Sequence, residues 1–155
     1  MKVLVWVAPG TWPAVVTAAA QRPDTDEITL VAVDDASVVP EGSLRGLMGR
    51  GRSLEPESAL STDAAQDLLD QAKAALGRPC EAVLLTGPTE RVVTAAAESA
   101  DWFIIARDGD RSRLGAHSLG RQARFIIDHA GCTVELIWPD GIPGLNTIPP
   151  PPQEQ

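Results

Sequence analysis

Residues 100–138 read ADWFIIARDGDRSRLGAHSLGRQARFIIDHAGCTVELIW, and their polar and apolar residues alternate as strand, loop, helix, turn and strand. Trp102 to Ala106 is a short apolar run, suited to a strand buried on both faces. Arg107 to Ser118 carries Gly109, Gly115 and a mixture of arginine and aspartate without hydrophobic periodicity, which predicts a loop. From Leu119 onward Ala123, Ile126, Ile127 and Ala130 fall on one helical face. Gly131 is expected to end that helix, and Thr133 to Trp138 is β-branched and apolar again. A strand that enters a helix through a glycine-bearing loop points backbone N–H groups and a positive dipole end at the strand's carboxyl edge. Anions, phosphates above all, bind there.

The same alternation runs through the rest of the chain. Lys2 to Val7 reads as a central strand, followed by a turn at Ala8-Pro9-Gly10-Thr11. Thr11 is a candidate N-cap with Pro13 in the first helical turn, and Arg22-Pro23 stops that helix. Glu27 to Val33 predicts a second strand ended by Asp34-Asp35. Residues 36–61, with Pro40, Pro56 and several glycines, predict a long excursion. Asp63 and Gln66 look like a capping pair for a helix presenting Ala65, Leu68, Leu69, Ala72 and Leu76, closed by Gly77. Cys80 to Leu85 is the third strand. Gly87-Pro88-Thr89 then turns into a helix with Val92, Val93, Ala96, Ala97 and Ala100 inward. Strands alternating with helices imply a doubly wound α/β fold: five parallel strands in one domain, residues 1–138. Residues 139–155 hold six prolines and predict an extended or disordered tail.

Composition narrows the function classes. The chain has 155 residues, the size of one domain, and no apolar run approaches the roughly 20 residues of a membrane span. The first residues form too short an apolar run for a signal peptide, so the cytoplasm is the expected compartment. A net charge of −8 argues against nucleic-acid binding through the whole surface. Five arginines nevertheless gather between Arg107 and Arg124, on the predicted anion edge. Cys80 and Cys132 read as buried reduced thiols, and His129 with Cys132 lacks a second ligand pair for zinc. His117 and Ser118 are adjacent, so their side chains diverge, and no catalytic series is expected.

Three strings are more specific: Gly87-Pro88-Thr89-Glu90-Arg91-Val92-Val93, Ala100-Asp101-Trp102-Phe103-Ile104-Ile105-Ala106, and Asp128-His129-Ala130-Gly131-Cys132-Thr133-Val134-Glu135-Leu136-Ile137. With the order of elements, they resemble the universal stress protein family from about Lys2 to Trp138. The first is similar to that family's Gly-x-Pro-x-x-x-Ile turn, with Thr89 at the proline. The second is similar to its ADLLVVG strand, with Ala106 at the glycine, and the third to its xHAPCPVLVV ending. The resemblance implies a Rossmann-like sheet of strand order 3-2-1-4-5 and a homodimer paired through the last strand, residues 133–138. It also implies a ligand edge made of Ala8, Pro9, Gly10, Thr11, Val33, Asp34, Ala106, Arg107, Gly109, Asp110, Gly120 and Arg121.

Members of that family that bind ATP carry G-x2-G-x9-G-[ST] after the fourth strand and an Asp after the first. Anchored on Gly120, the pattern puts Arg107 and Asp110 on the first two glycines and Arg121 on the Ser/Thr. Anchored on the strand, it falls on Ala106, Gly109, Leu119 and Gly120. Three of four positions differ either way, and the Asp position holds Ala8. A one-residue insertion restores Gly109 and Gly120 together but leaves Ala106 and Arg121. Side chains at such places take the room where bare backbone would approach phosphate. The expectation is therefore a noncatalytic regulatory or interaction protein, able to engage a protein partner, with a degenerate nucleotide site and no required cofactor. Its Arg107 and Arg121 would fill the pocket, paired with Asp108, Asp110 or Asp34. The alternative is a sensor that binds ATP, another adenine nucleotide or a different anion through Arg107 and Arg121.

Overall fold

A computed structural model describes residues 1–35 and 54–153, and the backbone alone for 54–61. The elements run β1 (Lys2–Trp6), α1 (Trp12–Ala20), β2 (Glu27–Asp34), α2 (Leu54–Leu76), β3 (Glu81–Thr86), α3 (Thr89–Ala97), β4 (Trp102–Ala106), α4 (Arg121–His129) and β5 (Thr133–Ile137). All strand pairs are parallel, in the order β3-β2-β1-β4-β5. The doubly wound sheet expected from the sequence is the one observed.

The uninterrupted apolar runs of β1 and β4 follow from burial on two sides. Val3, Val5, Val7, Ile104 and Ala106 face one layer, where Val15, Val16 and Ala19 of α1 meet Leu69, Ala72 and Leu76 of α2. Leu4, Trp6, Phe103 and Ile105 face the other, against Val93 and Ala97 of α3 and Ala123 and Ile126 of α4. A strand whose alternate residues both enter cores has no polar phase left, so its sequence loses the period of two. The edge strands lack that double cover: β3 leaves Glu81, Ala82 and Val83 exposed.

Three local expectations are corrected. The capping pair at Asp63 is not a helix start, because α2 already begins at Leu54. Pro56 lies in its first turn, where a missing N–H costs nothing. Gln66 instead donates to Asp70 one turn further on, at 3.0 Å. The excursion is thus shorter than 36–61, and its residues 36–53 lie outside the described residues. Gly131 is not the residue that ends α4; the helix stops one residue earlier, where Ala130 takes an extended conformation, its N–H bonded to the Ile126 carbonyl. Gly77 does close α2 in the left-handed region, at φ +65°.

The tail also departs from expectation. Residues 145–147 form a 3-10 turn, and Thr147 Oγ1 accepts the N–H of Leu114 at 2.9 Å. Arg111 reaches Asp140 at 2.7 Å. The tail to at least Thr147 is therefore laid over the loop after β4, because that loop offers an unpaired amide and a cation. Among the described residues no helix is long and apolar enough to cross a membrane.

Candidate functional site

The carboxyl ends of β1, β2 and β4 carry every residue that the sequence singles out. After β1, Ala8 accepts the N–H groups of Thr11 and Trp12, a tight turn into α1. Gly10 sits there at φ +82°, with open space around its Cα. Thr11 is buried at the N-cap but makes no capping hydrogen bond through its side chain. Trp12 packs into the core beneath α1. At the end of β2, Asp34 is 6% exposed; its carboxylate accepts the Thr62 hydroxyl and its carbonyl accepts Gly87 N–H.

The loop between β4 and α4 is knitted to itself. Gly109 N–H and Asp110 N–H donate to the carbonyls of Ser118 and His117, both at 2.8 Å. A Cβ on Gly109 would stand 2.4 Å from the His117 oxygen, so only glycine lets these strands of the loop approach so closely. Asp108 Oδ1 accepts the N–H of Gly120, the N-cap of α4, at 2.6 Å. A Cβ on Gly120 would meet that same oxygen at 2.7 Å. The carboxylate therefore stands at the positive end of α4, where an external anion would otherwise be drawn.

The arginines are placed differently from one another. Arg107 Nη1 donates to Ser118 Oγ at 2.5 Å, its guanidinium lies 4.4 Å over the Trp138 ring, and its Nε is buried without a partner. Ser118, fully buried, donates its own hydroxyl to Gly115 O at 2.7 Å. Arg121 is exposed and borders a separate groove with Glu90, Arg91 and Phe125. Asp110 accepts the Ser112 hydroxyl and N–H, with Arg113 at 3.7 Å. The hydroxyl and then the amide of Ser112 hold its carboxyl below the usual carboxylate value. The carboxylates offered by the sequence as partners for Arg107 and Arg121 are thus engaged elsewhere: Asp108 with Gly120, Asp110 with Ser112 and Arg113, Asp34 with Thr62.

Between β1, β2 and α2 the edge opens into a cavity of about 430 Å³. Pro9 and Val33, both named from the sequence, line it. Trp6, Leu68, Gln71, Thr89, Gln122 and Asp35 line it too and were not singled out. Asp35 read as no more than a strand terminator, and Thr89 as a departure from a proline. The one available signal was the doubling of the aspartate at the strand's carboxyl end. Ala106, Arg107, Gly109, Asp110, Gly120 and Arg121 do not border the cavity. Cys80 and Cys132 are free and half-buried, and desolvation pushes both thiols up.

The chain superposes on universal stress protein UspA from Lactobacillus plantarum with a TM-score of 0.62, at 22% identity over 88% of this chain and 97% of that one. This chain has the universal stress protein fold. A universal stress protein family protein from Arabidopsis thaliana with AMP bound gives a TM-score of 0.55, at 17% identity over 96% and 95% of the two chains. A universal stress protein in complex with cAMP gives 0.56, at 15% identity over 90% and 98%. No family model matches the sequence, and no curated protein matches it. The likeness to the universal stress protein fold therefore lies in the path of the backbone, and the loop after β4 must be judged by its own residues.

Proposed function

We propose that the chain is a divergent universal stress protein that works as a noncatalytic regulatory or interaction module and does not hold ATP in the usual way. The observation that carries this reading is the Asp108 carboxylate on the Gly120 N–H. A triphosphate needs the amides at the head of α4 and a cationic or neutral surround. Here one amide is taken, a second carboxylate stands at Asp110, and Arg107 is turned onto Trp138 and Ser118. These residues do not fit a triphosphate. The noncatalytic reading is supported by Ser118, whose hydroxyl is engaged by Arg107 and Gly115. Pairing of two copies through β5, in the cytoplasm, completes the proposal; β5 is an edge strand with apolar residues and a free side.

Thermal denaturation with and without millimolar ATP tests the central claim. The melting temperature of the unaltered chain stays fixed, whereas Asp108→Ala, which frees the amide, gains ATP-dependent stabilisation. A rise for the unaltered chain overturns the reading. Light scattering on the eluted protein tests the pairing, which a strict monomer excludes.

One observation favours a second reading, a sensor of an adenine nucleotide or another anion. Arg107 Nε is a buried donor with no acceptor, and two structures of this fold are described with AMP and with cAMP. On that reading AMP stabilises the chain, and Arg107→Ala or Arg121→Ala removes the effect.

A further inference from the structure

Between α3 and α4 lies a groove of about 480 Å³. Glu90 and Arg91 border it from α3, Arg121, Arg124 and Phe125 from α4, and Leu119 from the loop just before that helix. Three arginines against one glutamate make it a positive island in a chain of net charge −8. All three arginines are exposed, and among the described residues none pairs with a carboxylate. Arg124 donates to the Ala116 carbonyl at 2.8 Å, and Arg91 lies 5.6 Å over the Phe125 ring. Arg121 makes neither a hydrogen bond nor an ion pair among the described residues.

Helix stability gives no reason for these cations. Arg121 opens α4 and Arg124 follows one turn on, at the end of a helix where positive charge opposes the backbone dipole. No acid stands in the first turn of α4, and Asp108, which meets Gly120, pairs with neither arginine. Cations that cost the helix something and find no carboxylate in the chain call for negative charge from outside.

The groove also limits what carries that charge. Leu119 and Phe125 give it a half-buried apolar lining, which a bare phosphate would leave unused. The Phe125 ring stacks on His129, centroids 4.2 Å apart, and has Arg91 over it, so it is not held open for a base. A nucleic-acid strand would run its next phosphates onto a chain of negative net charge. Guanidinium forks match carboxylates two oxygens at a time. A protein segment with carboxylates on either side of an apolar side chain meets both parts of the groove. A second copy fits worse, because this groove against a different surface of the same chain is a head-to-tail contact that does not close in pairs.

We infer that the groove between α3 and α4 docks an acidic, apolar-centred segment of another protein. The inference rests on the interaction module proposed above and names its partner class, but it uses none of the contacts that close the loop after β4.

Fluorescence anisotropy of the full chain with a short labelled peptide, glutamates flanking leucine and phenylalanine, tests this. The peptide binds, its glutamine counterpart binds at least about tenfold more weakly, and added salt weakens the glutamate peptide most. A peptide of glutamates alone also binds more weakly, for want of an apolar side chain. Arg121→Glu lowers the affinity about tenfold or more while the melting temperature holds or rises, since an acid there suits the helix dipole. A fall in melting temperature with unchanged binding makes Arg121 structural and overturns the inference. Equal binding of the glutamate and glutamine peptides overturns it, as does equal binding of a single-stranded oligonucleotide of the same charge. Self-association that Arg121→Glu abolishes assigns the groove to a second copy and overturns it too. If no peptide binds while ATP leaves the melting temperature fixed, the groove falls and the reading of the closed loop stands. Stabilisation by ATP beside tight peptide binding overturns that reading and not the groove.

Discussion

Across one sheet edge, the loop after β4 pairs its polar groups within itself and with the tail and lays the guanidinium of Arg107, whose Nε has no partner, over the Trp138 ring, whereas the cavity beside β2 keeps a carboxylate oxygen without a donor. In the loop, Asp108 serves Gly120, Ser118 serves Arg107, and the amides of Gly109 and Asp110 serve the opposite backbone. In the cavity, Asp35 has Thr89 for one oxygen and nothing for the other. On the function proposed above, the loop is a structural element. The cavity has the unbalanced polarity of a binding surface. A glycine-bearing loop at the carboxyl edge of an α/β sheet does not by itself mark the ligand, because its own side chains can take the ligand's part.

The contrast can be tested from its strongest side downward. Gly109→Ala drives a methyl into the His117 carbonyl and Gly120 N–H, and should cost about 2 kcal/mol, several degrees of melting temperature. Gly131→Ala meets nothing within 4 Å and serves as the control that leaves the melting temperature in place. Asp108→Ala removes the acceptor at the head of α4 and should cost about 1 kcal/mol in urea denaturation. Asp35→Asn keeps the Thr89 contact and should stay within about 0.5 kcal/mol of the parent. If it destabilises as much as Asp108→Ala, Asp35 is structural and the two regions do not differ.

The smallest effect concerns acid. Ser112 lowers the Asp110 carboxyl below its ordinary value of 3.8. Because the folded value lies below the unfolded one, the contribution is complete above the unfolded value and fades as pH falls through the folded one. Asp110→Asn should therefore flatten a slight part of the acid limb of the urea midpoint as pH falls below about 5, with no change near neutrality. Asp26, lowered by the N-terminal amine and Arg22, acts with the same sign in both proteins and cancels from the comparison.

The helices and strands were readable because their signals are local. Ala123, Ile126 and Ile127 announce α4 by spacing alone, and β4 by its unbroken run. Pro56 misled because a proline is a breaker inside a helix and harmless in its first turn, and position within an element is not written at the residue. The candidate site residues fall in two places. Pro9 and Val33 line the cavity as the strand ends suggested, but Gly109, Gly120 and both arginines belong to the closed loop or to another groove.

Amino-acid order settled five parallel strands and their two covering layers, since burial of periodic apolar residues leaves few other arrangements. Folding settled the rest: that Asp108 meets Gly120, that Arg107 lies on Trp138, and that Asp35 is left with a lone acceptor. Those outcomes depend on which polar groups distant along the chain come within hydrogen-bond reach. Reach of that kind is a property of packed side chains and carries no period in the sequence.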